Sequence, residues 1–97
     1  MTKAEDCQNM EDIRAQIDFI DKELISLISK RATYVNKTAQ FKKDESDVKA
    51  PARVKKMLNQ RKIWAIEKNI NSEFIHNLFS NMVEFFINKE MQEWNNK

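Results

Sequence analysis

Residues 11–43, EDIRAQIDFIDKELISLISKRATYVNKTAQFKK, decide the fold because one helical period runs through them. Mainly apolar side chains occur at alternating intervals of four and three residues, the spacing typical of one face of a long α-helix. The positions are Ile13, Ile17, Ile20, Leu24, Leu27, Arg31, Tyr34, Thr38 and Phe41. Arg31 is the exception in this stripe. It is either a surface residue where the stripe has broken down or a buried charge that requires an anion, since an unpaired buried charge is very costly.

Two further cations bear on that choice. Lys42 follows Arg31 by eleven residues, which in a helix is about three turns and roughly 16 Å on nearly the same face. Arg14 precedes Arg31 by seventeen residues, roughly 25 Å away and about 100° off that face. The spacing predicts that Arg31 and Lys42 hold one small anion, and that Arg14 can join them only from a second chain.

The length of this helix also favours a second chain. A helix over residues 11–43 would be about 50 Å long, whereas a compact domain of this size has a radius of gyration of only about 13 Å. One short chain cannot cover such a rod. We therefore expect a homodimer in which an antiparallel copy buries the stripe.

Composition restricts the fold class and the compartment. The 97 residues include no glycine and a single proline, which leaves little material for tight turns and predicts one all-helical domain over residues 1–97. The net charge of +2 is spread over interspersed acids and bases, so no nucleic-acid-binding surface is predicted. Cys7 is alone, and neither a signal peptide nor a membrane span is visible. A cytoplasmic protein is expected.

The rest of the chain predicts two more helices. Asn9 is suited to cap the first helix, and residues 44–50, DESDVKA, are expected to form a mobile loop. Pro51 fits the first turn of a second helix. Asn71 or Ser72 would cap a third, strongly apolar helix, which is expected to be the central packing element. The predicted fold is a three-helix chain with a long first helix.

Glu90 places a carboxyl in the apolar stripe of the third helix, in step with Val83, Ile87 and Trp94. Either its carboxyl reaches the edge of this stripe and pairs with a lysine, or it is partly buried and keeps a proton that it can donate to a ligand. His76, the single histidine, is expected at a surface or boundary and has no partner at metal-ligand spacing. What remains is a site of cations, one acid and apolar walls, without a nucleophile, metal or cofactor.

Several short motifs together resemble the AroQ-class chorismate mutase fold, most closely its isochorismate pyruvate lyase branch, and the likeness covers nearly the whole chain. They are EDC at 5–7, DIR at 12–14, ID at 17–18 and 20–21, YV at 34–35, FK at 41–42, APARVKKML at 50–58 and WA at 64–65. The resemblance implies an intertwined homodimer of three-helix chains. Each of its two active sites would be completed by an arginine from the other chain.

The resemblance also implies residue roles in binding a small dicarboxylate substrate. Arg14 of the partner and Arg31 would grip the two substrate carboxylates, and Lys42 would reach the ether oxygen and a carboxylate. The loop that precedes Arg53 would close over the ligand, and Glu90 would face the ether oxygen. Both reactions of the family are pericyclic, so no metal or cofactor is implied.

Two positions help to choose between the reactions. Mutases of this class usually carry an acid where Val54 stands and another where Ala50 stands, and the lyase does not, which favours cleavage of isochorismate with weak mutase activity. Glu90 points the other way, because the lyase has glutamine there and some mutases have glutamate. A dedicated chorismate mutase is the alternative. A third hypothesis is a non-catalytic helical dimerisation module whose stripe cations reach water.

Overall fold

The computed structural model describes residues 2–96, which form a chain of helices without a strand. The α-helices in this range are α1 Met10–Thr38, α2 Glu45–Lys49, α3 Pro51–Glu67 and α4 Ser72–Asn95. Short 3-10 turns occupy Ala4–Asp6 and Ala39–Phe41. The predicted all-α class with a long first helix is confirmed, and α1, α3 and α4 are the three predicted helices. No helix in this range combines the length and apolar character needed to cross a bilayer.

Two compact units divide the chain, one ending at Lys37 and the other beginning at Thr38. The first holds nearly all of α1, and the second holds α2, α3 and α4. A single domain over residues 1–97 stays a prediction, and Met1 and Lys97 lie outside the described residues.

The predicted helix starts are confirmed by their hydrogen bonds. Asn9 Oδ1 accepts the backbone N–H of Asp12 at 2.8 Å, and Asn71 Oδ1 accepts that of Phe74 at 2.8 Å. Each bond satisfies one of the first backbone donors, which have no partner inside the helix. Pro51 occupies the first turn of α3, where its missing N–H costs nothing.

The end of α1 differs from the predicted residue 43. The α-helix stops at Thr38, a 3-10 turn follows, and Lys42 has an extended backbone with φ −95° and ψ 138°. The backbone N–H of Lys43 donates to Asp47 Oδ2 at 2.9 Å and is thereby withdrawn from the helical ladder. Lys42 therefore lies outside the helix, and the helical spacing from Arg31 does not determine its position.

Residues 44–50 were predicted as a mobile loop, and this was wrong. They contain α2, which Asp44 caps by accepting the Asp47 N–H at 2.9 Å. Val48 is only 2% exposed, and α2 packs against α4. The Asp44 cap and the packing against α4 both stabilise this five-residue helix, which is too short to be stable alone.

The core of the second unit lies between α3 and α4. Met57, Leu58 and Val83 form a buried cluster. Partly buried apolar side chains surround this cluster, namely Val54, Phe79 and Ile87. Because α4 packs against both α2 and α3, it is the central packing element of this unit, as predicted.

Arg61 on α3 is partly buried, and its guanidinium lies close to two aromatic rings. Its guanidinium carbon lies 4.8 Å from the centre of the Trp64 ring and 5.8 Å from that of Phe79. Both distances are within the range of cation–π attraction, which is worth about 0.5–2 kcal/mol per contact. Arg61 thus links α3 to α4 through Phe79.

Ala50 is the junction of α2 and α3 and has a left-handed backbone, with φ 39° and ψ 56°. A side chain with a Cβ costs about 1–2 kcal/mol in this region. We expect Ala50→Gly to raise the free energy of unfolding in urea by about 0.5–1 kcal/mol, after the greater flexibility of glycine in the unfolded chain is subtracted. Ala52→Gly, in the first turn of α3, should lower the free energy of unfolding. Equal losses from both variants would contradict a strained Ala50.

Glu73 in α4 and Lys62 in α3 form an exposed ion pair with an Nζ–Oε1 distance of 3.0 Å. The hydrogen bond from Lys62 lowers the pKa of the Glu73 carboxyl below its ordinary value. The pair therefore stabilises the fold above the unfolded pKa and loses this contribution as the pH falls through the folded pKa. The contribution should be small, since water screens exposed pairs.

The titration of Glu73 can be followed by NMR of its carboxyl carbon. Lys62→Met should return the Glu73 midpoint toward the value of an isolated glutamate. Lys56→Met, which removes an equal charge from the same helix, should leave it in place. A midpoint insensitive to Lys62→Met would assign the depression to another cause.

Candidate active site

Lys42 and Glu90 form a half-buried ion pair, the most enclosed one described in residues 2–96. The Lys42 Nζ donates to Glu90 Oε2 at 2.8 Å, and the two side chains are 19% and 12% exposed. Lys42 follows the 3-10 turn directly, and Glu90 stands in the last third of α4. Of the two hypotheses for Glu90, each is right in part: the carboxylate does pair with a lysine, but away from the surface.

The second carboxylate oxygen of Glu90 is unsatisfied. Glu90 Oε1 is buried and accepts no hydrogen bond from any described residue. A buried acceptor without a donor costs about 1–3 kcal/mol. A hydroxyl donor on a ligand would remove this cost.

Arg31 on α1 is also partly buried, and its Nη1 has no hydrogen-bond partner among the described residues. Burial lowers the pKa of its guanidinium, because a low-dielectric surrounding penalises the charged form. Arginine nevertheless keeps its charge in proteins. These features favour the second hypothesis for Arg31, a partly buried cation that an anion would stabilise.

The other two predicted residues are exposed. Arg14 lies in the first half of α1, and Arg53 in the first turn of α3. Arg14 and Arg31 belong to the unit that ends at Lys37, whereas Lys42, Arg53 and Glu90 belong to the other. The contact that the structure describes among these five residues is the one between Lys42 and Glu90.

The chemistry of these groups is that of anion binding. Arg31 offers a planar donor fork that matches a carboxylate, and Lys42 is a compact cation. No three His, Cys, Asp or Glu side chains within residues 2–96 are placed to hold a metal ion. Cations of this kind can orient an anionic substrate and stabilise negative charge that develops on an oxygen during bond cleavage.

Two positions that bear on the choice of reaction carry no acid. Ala50 has no polar side chain, and Val54 is partly buried and packs against the core cluster. The direct hydrogen bond between Lys42 and Glu90 is the feature that sequence periodicity did not reveal.

Comparison with known proteins identifies what the chain is similar to. Residues 13–91 match the family model Chorismate mutase type II. The chain is also 34% identical over 94 residues to the isochorismate pyruvate lyase of Pseudomonas aeruginosa. This alignment covers 97% of the present chain and 93% of the relative. The resemblance inferred from the short motifs is thereby confirmed.

Proposed function

Because this chain belongs to the type II chorismate mutase family, we propose that it is an enzyme that cleaves isochorismate to salicylate and pyruvate, with weak chorismate mutase activity as a side reaction. The observation that carries this choice is the likeness to a lyase of that name over almost the full length of both chains. The absence of acids at Ala50 and Val54 supports the same choice.

The reaction requires positioning and charge stabilisation more than a nucleophile. Hydrogen passes from the ring to the enolpyruvyl group while the ether bond breaks, which releases pyruvate and leaves the aromatic product. A folded substrate conformation and a cation beside the ether oxygen supply the rate acceleration. Arg31 and Lys42 provide donors for an oxygen that gains negative charge.

The proposed roles follow the family. Arg31 and the Arg14 of a second copy bind the two carboxylates, and Lys42 binds the ether oxygen with Glu90 beside it. Arg53 is proposed to bind the substrate at the start of α3. The support for Lys42 and Glu90 is their enclosed contact, and that for Arg31 is its partly buried, unsatisfied Nη1.

A homodimer is part of this proposal. No residue of α1 is buried in the single chain, and large apolar side chains along it stay exposed, including Leu27 at 61% and Leu24 at 51%. Monomeric proteins rarely leave a continuous apolar stripe of this length in water. An antiparallel second α1 would cover the stripe and bring its Arg14 toward the first chain's Arg31.

A dedicated chorismate mutase is the second candidate. The observation that favours it is Glu90, since some mutases of this fold carry glutamate at the corresponding position and the lyase branch carries glutamine. A non-catalytic dimerisation module is less well supported, because its cations would reach water, whereas Arg31 Nη1 and the Lys42–Glu90 pair are shielded from it.

The substrate is tested by supplying purified protein with isochorismate and chorismate separately. Salicylate fluorescence should appear with isochorismate, and chorismate should be consumed much more slowly. The Lys42→Ala variant should lose both activities, which controls for spontaneous decay. Rapid loss of chorismate without salicylate formation would establish the mutase. No reaction with either, and no thermal stabilisation by a dicarboxylate ligand, would favour the dimerisation module.

A further inference from the structure

A groove of about 420 Å³ opens on the unit that begins at Thr38, and none of the five residues proposed for the active site lines it. Its walls come from the end of α2, the first half of α3 and the facing side of α4. This volume is within the range of about 300–1,000 Å³ that small-molecule sites occupy.

Among the described residues, those that line the groove include basic groups and no acid. Lys49 and Lys55 line it from α2 and α3, and His76 lines it from α4. The acid that interacts electrostatically with His76 is Glu73, which is exposed and hydrogen-bonded to Lys62. The local field therefore favours an anion.

His76 adds an unpaired polar atom to the lining of the groove. Its Nδ1 is buried and has no hydrogen-bond partner among the described residues. A buried polar atom without a partner is costly, so a ligand group that hydrogen-bonds to this nitrogen would be favoured.

The remaining surface of the groove is mainly apolar. Pro51 and Leu58 line it, together with Val54 and Ile87, which also pack against the core cluster. An inorganic anion would leave these side chains in water, whereas an organic anion would cover them. From this combination of charge and apolar wall we infer that the groove binds a small organic monocarboxylate with an apolar ring or chain. This inference is independent of the proposed enzymatic function.

The test uses the full-length chain and NMR titration with benzoate. Saturable shifts should be centred on Lys49, Lys55 and His76, with a dissociation constant on the order of 1 mM, as expected for a small ligand in an open groove. Benzyl alcohol, which lacks the charge, and phosphate, which lacks the apolar body, should each bind at least about tenfold more weakly.

Charge-matched variants locate the site. Lys49→Gln/Lys55→Gln should weaken benzoate binding by about tenfold or more. Lys56→Gln/Lys89→Gln removes the same charge from exposed positions outside the groove and should have little effect. Lys42→Gln should leave the affinity unchanged. Shifts centred on Lys42 and Glu90, equal binding of benzyl alcohol, or no loss in the groove double variant would each overturn the inference.

Discussion

A chain carrying Arg14→Ala and a chain carrying Arg31→Ala should each be nearly inactive alone and should recover activity when they are mixed. Loss of one such charged donor is expected to lower kcat/KM by roughly 10²–10³-fold. In the mixed dimer one site combines the intact Arg14 of one chain with the intact Arg31 of the other, and the second site lacks both. Random pairing makes half of the dimers mixed, so recovery should approach about one quarter of the unmodified activity.

The matched control is a mixture of Lys42→Ala and Arg31→Ala chains. If both residues serve a site in the same chain, every site in that mixed dimer lacks one of them, and no activity should return. Chain exchange is verified by mass spectrometry of differently tagged chains. Verified exchange without recovery in the Arg14 and Arg31 mixture would place Arg14 outside the site. A folded monomer at micromolar concentration in sedimentation would contradict the dimer on which the experiment depends.

Local sequence signals predicted much of the fold because they act over a few residues. Asn9 and Asn71 each accept a hydrogen bond from a backbone N–H three residues later. The fixed φ of Pro51 is equally local, since it depends on the proline ring alone. The helical period of α1 likewise needs no tertiary information. These features placed the helix starts correctly without any knowledge of packing.

The end of α1 and the existence of α2 could not be predicted in this way. Helical periodicity continues through Phe41, but the α-helix stops at Thr38 and the backbone is extended at Lys42. A helix of five residues carries too few positions for a period, and Val48 becomes informative only when α4 covers it. The spacing of Asp44 and Asp47 was the one local sign of a cap.

The Lys42–Glu90 contact shows the same limit within the candidate site. The two residues are 48 positions apart, so only the packed chain reveals that they share a hydrogen bond. The sequence did single out both residues, Lys42 by its spacing from Arg31 and Glu90 by its position in an apolar stripe. The contact of Arg61 on α3 with the Phe79 ring on α4 likewise depends on tertiary structure.

The last prediction concerns pH and rests on Glu90. A glutamine amide can donate a hydrogen bond to the ether oxygen at any pH, whereas a carboxyl can donate only while it is protonated. An ionised Glu90 would also repel a dianionic substrate and compete with it for Lys42. We therefore expect kcat/KM to fall as the pH rises, by up to about tenfold per pH unit. Glu90→Gln should abolish this decline and raise the rate at high pH.

The comparison is a full profile of kcat/KM against pH for the unmodified chain, Glu90→Gln and Glu84→Gln. Glu84 is an exposed acid on the same helix, so its replacement controls for the loss of one negative charge. Only Glu90→Gln should flatten the falling limb, because kcat/KM reports ionisations of the free enzyme when chemistry limits the rate. If the unmodified chain and Glu90→Gln instead share one profile, the protonation of Glu90 does not control catalysis. The residue would then act through its ionised form, as the partner that fixes the position of Lys42.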